Sequence, residues 1–123
     1  MTIQEAITQL DTIKPNQYGE DQKIKWLSIL DGMVKEEIIN THEGYMDKPF
    51  TGYTEETANT TLLLVPEPYS DMYLHYLSSQ VDLNNSELIR YNNSAALFNE
   101  RYTAYANYYN RTTLPLQPNS FKV

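Results

Sequence analysis

The stretch that decides the fold runs from Leu88 to Tyr109 and reads LIRYNNSAALFNERYTAYANYY. Apolar and aromatic residues recur in it alternately three and four positions apart; they are Leu88, Tyr91, Ala95, Phe98, Tyr102, Tyr105 and Tyr109. This spacing predicts one long helix whose 3.5-residue period requires a packed partner helix. A buried tyrosine also needs a partner for its hydroxyl. The stretch is therefore either the tyrosine-rich core helix of a small bundle, or both core and contact surface of an assembly.

The two halves of this tyrosine stripe are expected to have different partners. A third helix is predicted over about residues 70–81 and a fourth from about residues 84–87, and so short a connection makes an antiparallel helical hairpin. Residues 88–98 then pack on the third helix inside the subunit. Residues 102–109 extend past the end of the third helix, so their partner is either the second helix or a neighbouring subunit.

Capping signals and apolar spacing predict the first two helices. Thr2 and Glu5 have the spacing of a capping box, and the first helix is expected to end before Pro15. Apolar residues at helical spacing from about Asp21 predict a second helix of roughly 20 residues that stops near Gly44.

Two segments lack helical periodicity. Residues 49–66 are punctuated by proline and glycine, and we expect either a short β-hairpin, which pairs residues 50–53 with 60–65, or an irregular insertion. Residues 112–123 contain two prolines and scattered apolar side chains, which predicts an extended arm that docks on a partner. The predicted fold is one domain, 1–123, mainly α-helical, built as a small bundle of about four helices with a C-terminal helical hairpin.

Charge is divided unevenly along the chain. The net charge is −7, but residues 1–89 carry −10 and residues 90–123 carry +3. All three arginines, Arg90, Arg101 and Arg111, lie on or just after the long helix. Arginine makes planar, bidentate contacts at interfaces, so we expect these three residues at a contact with another protein chain. An acidic chain is a poor candidate for binding nucleic acid through its phosphates.

The sequence contains no recognisable set of catalytic or cofactor-binding residues. There is no cysteine, and His42 and His75 lack the spacing of metal ligands. Glu36 and Glu37 point about 100° apart on a helix, so they do not converge on one reacting atom. No apolar run approaches the roughly 20 residues that a membrane span needs. We expect a soluble protein of a reducing compartment that is not an enzyme and that holds no metal or cofactor.

Three stretches carry a resemblance to a known family. They are KWLSILDGMVKEEI at residues 25–38, the PEPY turn at 66–69 that leads into Tyr73 and Tyr76, and RYNNSAALFN at 90–99. Together they make about residues 20–115 similar to the small head–tail connector (adaptor) proteins of long-tailed phages and prophages of Gram-positive bacteria.

The resemblance implies a mainly α-helical virion protein without enzymatic activity. Connectors of this family form a ring beneath the portal, and the ring is expected to be a dodecamer that matches it. They extend the channel for packaged DNA, which passes without sequence-specific binding, and they provide a platform for the stopper or tail-completion protein. The expected location is the virion neck, after synthesis in the host cytoplasm.

Two other classes remain open. One is a different head-completion or tail-completion (stopper) protein, and the other is a soluble helical regulator that binds a cellular partner. Under the connector interpretation, the arm from Leu114 to Val123 is expected to leave its own subunit and contact the portal or a neighbour. The arginine-bearing fourth helix is expected to lie at an intersubunit or portal contact. The candidate interface residues are Arg90, Arg101, Tyr102, Tyr105, Tyr109, Arg111, Leu114, Leu116 and Phe121.

Overall fold

Four α-helices make up most of the described chain, which is residues 1–42 and 50–113 of a computed structural model. The helices, in chain order, are α1 Ile3–Ile13, α2 Glu20–Glu37, a short 3-10 helix Ile39–Thr41, α3 Met72–Asn84 and α4 Leu88–Thr112. The predicted mainly α-helical bundle of about four helices is confirmed. The predicted arm beyond Thr113 lies outside the described residues. The expectation that the second helix continues to a stop near Gly44 is wrong: α2 ends at Glu37, because the chain tightens into the 3-10 helix and is extended at His42.

The first helix begins where its capping box predicts. Thr2 Oγ1 accepts a hydrogen bond from the Glu5 N–H at 3.1 Å, and the Thr2 N–H donates to Glu5 Oε1 at 2.9 Å. The bond that the Thr2 N–H donates to the Glu5 carboxylate lowers the pKa of Glu5, and the nearby Thr2 hydroxyl adds to that shift. The helix ends at Ile13, before Pro15, and packs on α2 and α3. Its buried face consists of Ile3, Ala6, Ile7 and Leu10.

Helices α3 and α4 form the predicted antiparallel hairpin. Only residues 85–87 connect them, and the Glu87 N–H donates to the Asp82 carbonyl at 2.9 Å across the turn. Ser86 has a φ of 59°, a left-handed conformation that closes this turn. Helix α3 continues to Asn84, beyond the predicted end near residue 81, and the Asn84 side-chain Nδ2 donates to the Gln80 carbonyl at 2.8 Å in this last turn.

The segment between the 3-10 helix and α3 is irregular in its described part, residues 50–71, so the β-hairpin alternative is wrong and the irregular alternative is confirmed. The backbone of residues 59–63 pairs instead with the N-terminus. The Ile3 N–H donates to the Thr61 carbonyl at 3.1 Å, and the Leu63 N–H donates to the Met1 carbonyl at 3.0 Å. Since those backbone groups already have partners at the start of α1, pairing with residues 50–53 is not needed to satisfy them.

One buried carboxylate joins this irregular segment to two helices. Asp31 of α2 is 0% exposed. It accepts hydrogen bonds from the Tyr73 hydroxyl at 2.6 Å, the Tyr53 hydroxyl at 2.5 Å and the Leu64 N–H at 3.0 Å. The Tyr73 hydroxyl in turn accepts from the Val65 N–H at 2.8 Å. Two segments distant in sequence are thereby held against α2.

The electrostatics of this cluster follow from its burial. Burial raises the pKa of Asp31, and the three donors oppose that shift because they favour the charged form. Burial also raises the pKa of Tyr53 and Tyr73, and the neighbouring Asp31 carboxylate adds to both shifts. The two phenols therefore stay protonated and remain donors.

A second buried carboxylate holds α1, α3 and α4 together. Asp82 is 1% exposed and accepts from Lys14 Nζ at 2.7 Å and from the Ser94 hydroxyl at 3.0 Å. A second ion pair, between Lys23 Nζ and Asp11 Oδ1 at 2.6 Å, joins α2 to α1. Each helix is thus linked to another by at least one charged contact, in addition to the apolar core.

Replacing Asp31 with alanine is expected to lower the free energy of unfolding by about 3 kcal/mol, because three buried donors lose their acceptor together. Urea denaturation followed by fluorescence of Trp26, which is 5% exposed, measures the change. The matched control is Glu36→Ala on the exposed face of α2, with an expected change within about 0.5 kcal/mol. Equal losses in the two variants would contradict the anchoring role of Asp31.

The stability contributed by Asp31 is expected to fall as the pH rises. Its pKa in the folded chain lies above its ordinary value of 3.8, so the folded state binds more protons between those two values. The contribution is therefore complete below pH 3.8 and is lost as the pH passes through the raised pKa. The unfolding free energies of the unchanged protein and of Asp31→Asn are measured at each pH. Their difference gives the pH-dependent contribution of the Asp31 carboxyl group. A difference that grows with pH would refute the expected sign.

Candidate interaction surface

The first half of the tyrosine stripe meets α3 only in part. Phe98 packs on Tyr76 of α3 with ring centroids 5.2 Å apart, as expected for residues 88–98. Leu88, however, is 63% exposed, so the expectation that it packs inside the subunit is wrong. Leu88 is the first residue of α4 and follows the turn directly, where its side chain projects into solvent instead of onto α3.

The second half of the stripe finds its partners within the subunit. Tyr105 is 3% exposed and belongs to the core, and burial raises its pKa to about 12. The Tyr102 hydroxyl donates to Glu37 Oε1 in the last turn of α2, and the Tyr109 ring packs edge-on against His42 with centroids 4.6 Å apart. Of the two alternatives for residues 102–109, the structure shows contact with the end of α2 and the residues that follow it.

Buried His42 contacts Asn110 near the end of α4, a contact that the sequence did not predict. Its Nε2 lies 2.8 Å from Asn110 Oδ1, and its Nδ1 lies 2.6 Å from the Ile38 carbonyl oxygen. The imidazole is 3% exposed and bridges the residues after α2 to the last turns of α4. Sixty-eight residues separate His42 from Asn110, and no local spacing signals such a pair.

The three arginines have different environments. Arg101 Nε donates to Asp71 Oδ1 at 3.0 Å, and its guanidinium carbon lies 5.4 Å from the centre of the Tyr69 ring. Arg101 is therefore bound within its own subunit, at the start of α3. Arg90 is exposed and pairs with Glu87 at 3.3 Å, one turn earlier on its own helix, and Arg111 is exposed in the last turn of α4. Arg90 and Arg111 remain accessible to a partner.

The free end of the helical hairpin exposes large apolar side chains. Ile89 is 80% exposed, Leu88 63% and Leu83 43%; we call these three residues the hairpin tip. A depression of about 390 Å³ lies beside it, lined by residues 86–90. Exposed apolar side chains that cluster on a rigid element are typical of protein–protein contacts.

A second depression, of about 370 Å³, lies at the opposite end of α4; we call it the C-terminal groove. Its walls are mainly apolar and aromatic, with one cation, and include Lys35, Ile39, Leu64, Pro66, Tyr105, Tyr108 and Thr113. Three of the predicted interface residues, Leu114, Leu116 and Phe121, follow Thr113 and lie outside the described residues.

Residues 1–42 and 50–113 contain no cluster of three or more histidine, cysteine, aspartate or glutamate side chains that could hold a metal ion. Within the same ranges, every helix is too short or too polar to cross a membrane. Comparison of the chain with protein-family models, with curated proteins and with solved structures finds no match.

Removing the Arg101 guanidinium is expected to destabilise the isolated subunit. Arg101→Met retains much of the aliphatic stem but loses the contacts with Asp71 and Tyr69, at an expected cost of about 1 kcal/mol. Arg90→Met is the matched control on the same helix, and its unfolding free energy should change by less than about 0.5 kcal/mol. Denaturant titration of both variants measures the difference. If the two variants are equally stable, Arg101 is not held by its own subunit.

Proposed function

We propose that the chain is a head–tail connector of a virion, a structural protein without catalytic activity that assembles as a ring beneath the portal. In this role it extends the channel for packaged DNA and provides the platform for the stopper or tail-completion protein. The observation that carries the proposal is the hairpin tip, where Leu88 and Ile89 are exposed at the end of a well-packed helical hairpin.

The hairpin tip has the physical properties of a docking surface. Burying a leucine or isoleucine side chain on a partner contributes about 1.5–3 kcal/mol each. The turn that presents Leu88 and Ile89 is held by the bond from the Glu87 N–H to the Asp82 carbonyl. Because the backbone is already ordered there, association at the tip has a small entropic cost.

Ring assembly needs two different surfaces on each subunit, since head-to-tail contacts are the ones that close into rings. The hairpin tip supplies one surface at the start of α4. Arg111 lies in the last turn of the same helix, where its guanidinium can pair with carboxylates of a neighbour. Exposed acids such as Glu36 and Glu55 lie in the acidic part of the chain and offer such carboxylates. A dodecamer would match the portal.

The resemblance and the helical architecture support the same proposal. Two of the stretches that carry the resemblance, residues 25–38 and 90–99, lie on α2 and α4, which hold the anchoring Asp31 and the core-packed Phe98. Connectors of this family are mainly α-helical, as this chain is. The net charge of −7 also suits a channel wall, because a negative surface repels the DNA phosphates and lets the duplex slide.

Substituting the hairpin tip is expected to weaken assembly without unfolding the subunit. The double variant Leu88→Gln/Ile89→Gln should bind at least tenfold less to portal-bearing capsids of the phage or prophage that encodes the chain, because its contact loses two apolar anchors. Negative-stain imaging counts rings on the portals, and co-sedimentation measures bound protein. Thermal unfolding of each variant checks that the subunit remains folded.

The matched control is Ile29→Gln, which replaces a 47% exposed isoleucine on α2 and should bind like the unchanged protein. Normal binding by the tip variant would exclude the hairpin tip as a contact while leaving the connector role intact. Failure of the unchanged protein to bind portal-bearing capsids would contradict the connector role itself.

A further inference from the structure

The C-terminal groove exposes an apolar surface directly where the described chain ends. Three apolar or aromatic residues line this depression of about 370 Å³ and remain accessible: Tyr108 is 36% exposed, Pro66 is exposed and Leu64 is half-buried. Depressions that hold a ligand or an anchoring side chain have volumes of about 300–1,000 Å³. The groove is thus large enough for one or two aliphatic side chains.

The path of the backbone brings the next residues to this groove. Thr113 is itself part of the wall, and its N–H donates to the Tyr109 carbonyl at 2.9 Å as the last contact of α4. The backbone at Thr113 is extended, with φ −130° and ψ 133°. The chain then continues as Leu114-Pro115-Leu116, in which Pro115 favours an extended Leu114. Three extended residues reach about 10 Å from Thr113, which is itself in the wall of the depression.

We propose that, in the free subunit, the C-terminal groove is occupied by Leu114–Leu116 of its own chain. The decisive argument is the tether: a segment rooted in the wall of the groove has an effective local concentration of about millimolar. A second copy or another protein at micromolar concentration competes at a large disadvantage. Each leucine side chain buried against the tyrosines and Pro66 contributes about 1.5–3 kcal/mol, and Pro115 reduces the entropy that docking removes.

This intramolecular contact goes beyond the connector role and does not depend on it. It shields two apolar side chains of the C-terminal segment until a partner displaces them. A protein that binds this segment must then provide more binding free energy than the groove does. Premature association of free subunits through the segment is therefore suppressed. The hairpin tip, about 35 Å away along α4, stays exposed throughout.

Two engineered cysteines test the proposal in the full-length protein, which has no cysteine of its own. Pro66→Cys with Leu116→Cys places one thiol on the wall of the groove and one on the docked segment. At about micromolar protein concentration, mild oxidation should yield an intrachain disulfide, detected as a monomer on a non-reducing gel and as a mass loss of about two daltons. The matched control, Ile89→Cys with Leu116→Cys, lies beyond the reach of the segment within one chain.

The expected result is an intrachain bond in the Pro66 pair that forms at least tenfold faster than any disulfide of the Ile89 pair. Interchain dimers of the Pro66 pair would show that a second copy occupies the groove, and absence of any disulfide would show that the segment lies elsewhere. Either result overturns the proposal.

An independent readout uses one cysteine, Pro66→Cys, and its rate of reaction with a maleimide. Adding Leu114→Ser and Leu116→Ser should release the segment and raise that rate several-fold, because both apolar anchors are lost and no charge is introduced that could pair with Lys35 in the groove wall. An unchanged rate contradicts occupation of the groove.

Discussion

The rest of the structure depends on one buried acceptor, the carboxylate of Asp31. Its two oxygens satisfy a phenol of α3, a phenol of the irregular segment and a backbone N–H of that segment at the same time. Residues 50–71 form no strand or helix, so their backbone groups need partners from elsewhere. An apolar side chain at position 31 would leave all three donors buried without an acceptor. The carboxylate therefore makes an irregular segment compatible with a close-packed core.

The position of α4 follows from that arrangement. Helix α3, placed through Tyr73, carries Asp82. The Asp82 carboxylate accepts hydrogen bonds from Lys14, the residue that follows α1, and from Ser94 of α4. At the other end of α4, Tyr105 enters the core and Asn110 meets His42. A helix of 25 residues is thus fixed near both ends, and each end leaves a different surface accessible.

Those two surfaces explain how a small acidic subunit could take part in an assembly. The hairpin tip is a rigid apolar projection, and the C-terminal groove is an apolar concavity next to the chain's own C-terminal segment. In the connector that we propose, the hairpin tip is accessible in the free subunit. The C-terminal segment would leave the groove when a partner binds during assembly.

Local spacing by itself determined the helices of this protein. The capping box of Thr2 and Glu5, the apolar period of residues 88–109 and the short connection between α3 and α4 all act within a few residues, so the sequence shows them directly. Tertiary structure alone decided which part of the tyrosine stripe is buried, why residues 59–63 pair with the N-terminus, and that Arg101 serves its own subunit. The partners in these contacts lie 30 to 68 residues apart, as in Arg101–Asp71 and His42–Asn110. Contacts at such separations leave no periodic signal, because they arise only when the helices have packed.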